Sequence, residues 1–128
     1  MIKNLSHISL LSNSLNKVKN FYVKKLGLKI VHEFRNENND LYGYFLSSKN
    51  NTFLEFFKTK KKINFKNRNN HFRHICFEVS NIKNLNKKKF KNKFIIKRGK
   101  TDKILQFFTK DYEGNIIEFH QRDKLSKF

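Results

Sequence analysis

The feature that most constrains this chain is a near-repeat of its own halves. SHISLL at residues 6–11 is echoed by RHICFE at 73–78, and NTFLEFF at 51–57 by NIIEFHQ at 115–121. His7 and His74 lie 67 residues apart, and Glu55 and Glu118 lie 63 apart. Two offsets that agree this closely mean that a whole supersecondary unit recurs, which limits the fold more than any single element does. A length of 128 residues suits one domain in which two small modules pair.

The same order of elements can be read in each half. In module one, about residues 1–58, LSHISLL predicts a short buried strand. Ser12 or Asn13 supplies a cap for a helix over about 14–26, with Gly27 placed to end it. LKIVHEF alternates, with Leu28, Ile30, His32 and Phe34 on one face. A polar turn at 36–40 separates it from the strand-like runs LYGYFLS and NTFLEFF, which flank the polar KNN around Asn50. Residues 59–70 are rich in Lys and Asn and read as a linker. In module two, about 71–122, HFRHICFEV predicts a strand, and Ser80 or Asn81 caps a helix reaching about Asn92. KFIIKR, ILQFFTK and NIIEFHQ then supply three strands. Gly114 and Asn115, in the turn DYEGN, tolerate positive φ. The tail after Gln121 is polar and reads as frayed. The expected fold is therefore α+β, two paired βαβββ modules.

Each module puts one His on its first strand and one Glu on its last. A carboxylate inside FLEFF or IIEFH is costly to bury without a cation or hydrogen-bond donors. A lone His or Glu on a strand usually has a bland role in packing or at the surface. Four such residues in register with a repeat point instead to one divalent ion per site, with His7, Glu55, His74 and Glu118 as ligands. Two imidazoles and two carboxylates suit Ni, Zn, Fe, Co or Mn.

The remaining polar residues are weaker candidates. His71 and His74 are three apart on one strand and point to opposite faces. Glu78 shares the His74 face but lies about 13 Å along the strand. His120 is about 6.6 Å beyond Glu118 on the same face and reads as rim rather than ligand. His32 reads as packed. Cys76 shares the His74 face and reads as a buried inert thiol.

Charge and cysteine content bound the partners. The formal net charge is +19, which by itself suggests a polyanion partner. However, Lys far outnumbers Arg, and the Lys/Asn/Ile/Phe-rich, Ala-free composition reads as a biased genome with Lys on solvated faces. Nucleic acid is therefore not the expected partner. No apolar run is long enough for a membrane span, and the N-terminus does not resemble a signal peptide. A single cysteine excludes an internal disulfide and fits a reducing cytoplasm.

Three segments carry a resemblance to the vicinal oxygen chelate superfamily of glyoxalases, bleomycin resistance proteins and dioxygenases. They are SHISLLSNSLNKVKNFYVKKLGLKIV, RHICFEVSNI, and FFTKDYEGNIIEFHQ, where Tyr112 replaces the usual Pro of the turn. The resemblance implies the glyoxalase/bleomycin-resistance/dioxygenase fold. The His, Glu, His, Glu order most resembles bacterial glyoxalase I. That likeness implies a metal-dependent lyase or isomerase acting on a small α-hydroxycarbonyl or thiol adduct, with Glu55 and Glu118 as catalytic base candidates and a thiol such as glutathione as cosubstrate. It also implies a homodimer whose sites combine residues of both chains. The family alternatives are a thiol transferase or resistance enzyme and a non-catalytic small-ligand binding protein. Leu11 stands where glyoxalase I carries an Arg for glutathione, Lys58 and Thr59 where it carries an Asn, and Phe108 where some fosfomycin transferases carry a Tyr.

Overall fold

A computed structural model describes residues 1–48, 53–63 and 72–128. The chain forms two compact units, Met1–Asn67 and Arg68–Phe128. Among the described residues, no helix is long and apolar enough to cross a membrane. The KNN turn, most of the linker and His71 lie outside the described residues.

The first unit contains β1 (His7–Ser12), α1 (Leu15–Val18) continued by a π-helical stretch (Lys19–Lys25), β2 (Lys29–Arg35), β3 (Leu41–Ser47) and β4 (Phe53–Lys58). The sheet order is β1-β4-β3-β2, with β1 parallel to β4 and the other pairs antiparallel. The parallel pair is closed by the rest of the module as a long connection, as a parallel pair requires. Alternation sends Tyr44, Leu46, Leu54 and Phe56 to one face, where they meet Leu15, Val18, Phe21 and Tyr22 of the helix. The rings of Tyr22 and Phe56 lie 4.9 Å apart.

Ser14, rather than Ser12 or Asn13, caps the helix through a 3.3 Å bond from the Lys17 N–H. Asn13 has another task. Its amide donates to the Thr59 and Lys61 carbonyls and accepts from the Ile63 N–H. The start of the expected linker is thus pinned beside β1. Gly27, at φ 82, ends the helix in the left-handed region that favours glycine. Register shifts near His32 break the alternation of β2, so His32 is exposed rather than packed in a core, although its ring touches Phe34 at 4.8 Å.

The second unit contains β5 (Ile75–Glu78), α2 (Ile82–Phe90), β6 (Lys97–Arg98), β7 (Leu105–Lys110) and β8 (Ile116–Gln121). Its order, β5-β8-β7-β6, again sets the first strand parallel to the last. Ile75, Ile82, Phe90, Phe107, Ile117 and Phe119 form the core. Asn81 caps α2 through a 2.9 Å bond from Asn84 N–H. Lys91 and Asn92, at φ 53 and 58, turn the chain out of the helix without a glycine.

Two expectations are corrected here. KFIIKR yields only the two-residue β6. The tail is not frayed: Asp123 takes both ends of the Arg98 guanidinium at 2.9 and 2.6 Å, and Lys127 N–H donates to the Asp102 carbonyl. The Arg98 guanidinium also pulls the Asp123 carboxyl down from 3.8 to about 2.

Candidate metal centre

In the first unit, the helix-facing pattern of β1 and β4 decides where the polar side chains go. Leu54 and Phe56 enter the core, so Phe53, Glu55 and Phe57 take the opposite, open face. The register pairs His7 with Phe53 and Ser9 with Glu55. His7 and Glu55 are therefore diagonal neighbours on adjacent strands. Nε2 of His7 lies 3.9 Å from Oε1 of Glu55, too far for a hydrogen bond, and the side chains are 41% and 15% exposed. Among the described residues, none donates a hydrogen bond to Glu55. Ser6 Oγ lies 3.2 Å from His7 Nδ1, which leaves Nε2 turned toward the carboxylate.

The second unit repeats the pair in a tighter form. His74 immediately precedes β5, and its Nε2 lies 2.8 Å from Oε2 of Glu118 on β8, with side chains 34% and 11% exposed. The other carboxylate oxygen, Oε1, faces Nδ1 of His120 at 4.0 Å. Cys76 pairs with Glu118 in the parallel register, and its Sγ lies 3.3 Å from His120 Nδ1. Loss of hydration, with the negative charge of Glu118 beside it, pushes the Cys76 thiol up to about 12.

Within each unit, then, the residues expected to act together do meet: His7 with Glu55, and His74 with Glu118. Cys76 is exposed, not buried. His120 leans onto Glu118 instead of standing at the rim. The signal for both was present in the sequence as a shared strand face. It was weak because rise per residue measures backbone spacing, while long side chains close several ångströms of it.

The company each carboxylate keeps distinguishes the site. Away from it, Glu33 pairs with Arg35, Glu78 with Arg122 and Asp123 with Arg98. Glu55 and Glu118 are the less exposed carboxylates among these pairs, and their only ion-pair partners among the described residues are histidines. In a chain with a net charge of +19, Lys and Arg are abundant, yet none of the described ones pairs with these two. Neutral imidazole nitrogen and carboxylate oxygen together make a donor set that fits a divalent transition ion.

The sequence matches the family model of the Glyoxalase/Bleomycin resistance protein/Dioxygenase superfamily over residues 4–119. No curated protein matches it. Among solved structures, it resembles a glyoxalase family protein from Enterococcus faecalis at 22% identity and TM-score 0.75, covering 92% of this chain and 97% of that one. It also resembles a glyoxalase/dioxygenase from Nostoc punctiforme at 16% identity and TM-score 0.70, covering 95% and 92%. A third is TnmS3, an antibiotic binding protein from Streptomyces sp. CB03234, at 15% identity and TM-score 0.68, covering 95% and 98%. At these identities the likeness to each structure is one of fold.

Proposed function

The chain belongs to the glyoxalase/bleomycin resistance protein/dioxygenase superfamily, and from that premise we propose that it is a metal-dependent, glyoxalase-I-like isomerase or lyase acting on a small α-hydroxycarbonyl or thiol adduct. His7, Glu55, His74 and Glu118 serve as ligands of one divalent ion. The observation that carries this reading is the pair of low-exposure carboxylates whose ion-pair partners, among the described residues, are histidines alone in a chain rich in Lys and Arg.

When bound, the ion supplies Lewis-acid stabilisation of negative charge on neighbouring substrate oxygens. The protein supplies the rest. His7 and His74 present Nε2 to the site. Glu55 and Glu118, on strands rigidly paired in each sheet, move a proton between adjacent substrate carbons.

The test is isomerisation of the methylglyoxal–thiol adduct, lost on chelation and restored by Ni or Zn. Protein that holds these metals and turns over neither this adduct nor related ones refutes the enzyme reading. Glutathione is one thiol to try.

A four-ligand set needs a module-one face and a module-two face, and we assign them to different chains of a homodimer. Inactive His7→Ala/Glu55→Ala protein mixed with inactive His74→Ala/Glu118→Ala protein then regains about half the wild-type metal content. Proven subunit exchange without recovery places each site in a single chain. The lone thiol suits a reducing cytoplasm as the working compartment.

A second reading, a non-catalytic small-ligand binder, is favoured by one feature. Phe45 and Phe53 stack at 4.9 Å and 2° beside Glu55, a surface suited to flat apolar ligands. Tight binding of such a ligand, unchanged by Glu118→Gln and without turnover, would support it.

A further inference from the structure

The Glu118 carboxylate has two differently occupied sides. Oε2 meets His74 at 2.8 Å. Oε1 faces a separate group, in which Cys76 Sγ and His120 Nδ1 lie 3.3 Å apart and His120 Nδ1 lies 4.0 Å from Oε1. We propose that module two holds its own thiolate-bearing metal position, formed by Cys76, the Oε1 side of Glu118, and His120. It would take a thiophilic divalent ion such as Zn2+, Cd2+ or Co2+.

Backbone register brings the three together. Parallel β5 and β8 pair Cys76 with Glu118 and Glu78 with His120, so residues 76, 118 and 120 share the open face. Their donor atoms all lie within 4.8 Å of one another. Bond lengths of about 2.0 to 2.3 Å in a tetrahedral site put ligand atoms roughly 3.3 to 3.8 Å apart, close to the separations already present.

The thiol has one proton and can serve only one of its two neighbours, His120 Nδ1 at 3.3 Å or the Glu118 carboxylate. One cation satisfies sulfur, carboxylate and imidazole together. Binding releases the thiol proton to solvent as the metal–sulfur bond forms, and His120 binds through Nδ1 with its proton on Nε2.

The repeat supplies the contrast. The residues of module one at the positions equivalent to Cys76 and His120 are Ser9 and Phe57, so this position belongs to module two alone. It shares Glu118 with the centre proposed above, on which it otherwise does not rest, and it uses neither His7 nor Glu55.

The experiment is titration of Co2+ into metal-free, full-length His7→Ala/Glu55→Ala protein, with wild type in parallel. We expect a near-ultraviolet thiolate-to-cobalt charge-transfer band in both proteins, saturating at one ion per chain in His7→Ala/Glu55→Ala protein and reaching the same final intensity in wild type. Cys76→Ser, a near-isosteric change at an exposed position, abolishes it, and His120→Ala weakens it. Alkylating Cys76 in folded wild type gives the same loss without mutation. Absence of the band from wild type, or its survival in Cys76→Ser, overturns the proposal. A band that persists in His7→Ala/Glu55→Ala protein while isomerase activity is gone separates this position from the catalytic centre. Activity without any band sinks this inference alone.

Discussion

Module one surrounds its His–Glu pair with rings. The edge of Phe45 meets His7 at 5.5 Å, Phe45 stacks on Phe53, and Phe34 packs on Phe57 at 4.9 Å. Module two surrounds the same pair with Cys76, His120 and, at 5.6 Å from His74, Phe108. The pairs themselves also differ, at 3.9 Å in one and 2.8 Å in the other. Yet the cores beneath follow the same plan, with an apolar helix over alternate residues of the same strand order. Packing against the helix fixes one face of each sheet, because any change there leaves a cavity or a clash. The open face has no such constraint, so the halves of a repeat can diverge there without disturbing the fold. One open face carries rings, and the other carries a thiol and a second imidazole.

The largest effect expected from breaking this asymmetry is catalytic. Glu118→Gln lowers kcat by about 10²- to 10⁴-fold, and Glu55→Gln lowers it less. Gln keeps one oxygen donor, and Glu55 accepts no hydrogen bond from any described residue, whereas Glu118 anchors His74 and faces His120. Turnover of the adduct, with metal content measured beside it, decides the order. Equal losses would make the two carboxylates functionally equivalent despite their different surroundings.

Core truncation probes what the modules share. Phe56→Ala and Phe119→Ala each remove an almost fully buried ring. Each should cost about 3 to 5 kcal/mol in urea unfolding. A much smaller cost in one module would mean that its core collapses around the hole.

A smaller effect tests the helix ends, where the modules differ again. Gly27→Ala forces a side chain into φ 82 and destabilises, while Lys91→Gly relieves φ 53 and stabilises. Each change is worth about 1 to 2 kcal/mol, with opposite sign, and thermal unfolding reads both.

The smallest effect concerns the tail, which is tied to Arg98 and Asp102 of module two. Asp123 has a folded pKa of about 2 against an ordinary 3.8, chiefly because of Arg98. A depressed carboxyl stabilises above its unfolded value and loses that contribution as pH falls through the folded one. Anchoring should therefore hold near neutrality and fade between about pH 4 and 2, as seen in exchange of the Leu125 amide that donates to Asp123. Asp123→Asn should remove the acid step. An unchanged acid profile would show that the tail is held by the backbone bond to Asp102 instead.

The amino-acid sequence by itself determined the repeat, the main order of strands and helices, and the His and Glu that share a strand face in each half. These follow from local periodicity, since alternation assigns faces and helical spacing assigns a buried stripe whatever the partner is. Only the tertiary structure decided what depends on pairing between distant segments. Asn13 serves as a clamp for residues 59–63 because β1 and β4 are neighbours, which no local pattern encodes. The tail is held because Arg98, 25 residues before Asp123, lies within its reach. The contact between Cys76 and His120 spans 44 residues and depends on the register of two parallel strands. A shift of one residue in that register would turn one of them to the other face. Alternation in the sequence assigns the sides of a strand wherever no register shift interrupts it, as one does in β2. The fold, through the register that core packing selects, chooses each residue's neighbours.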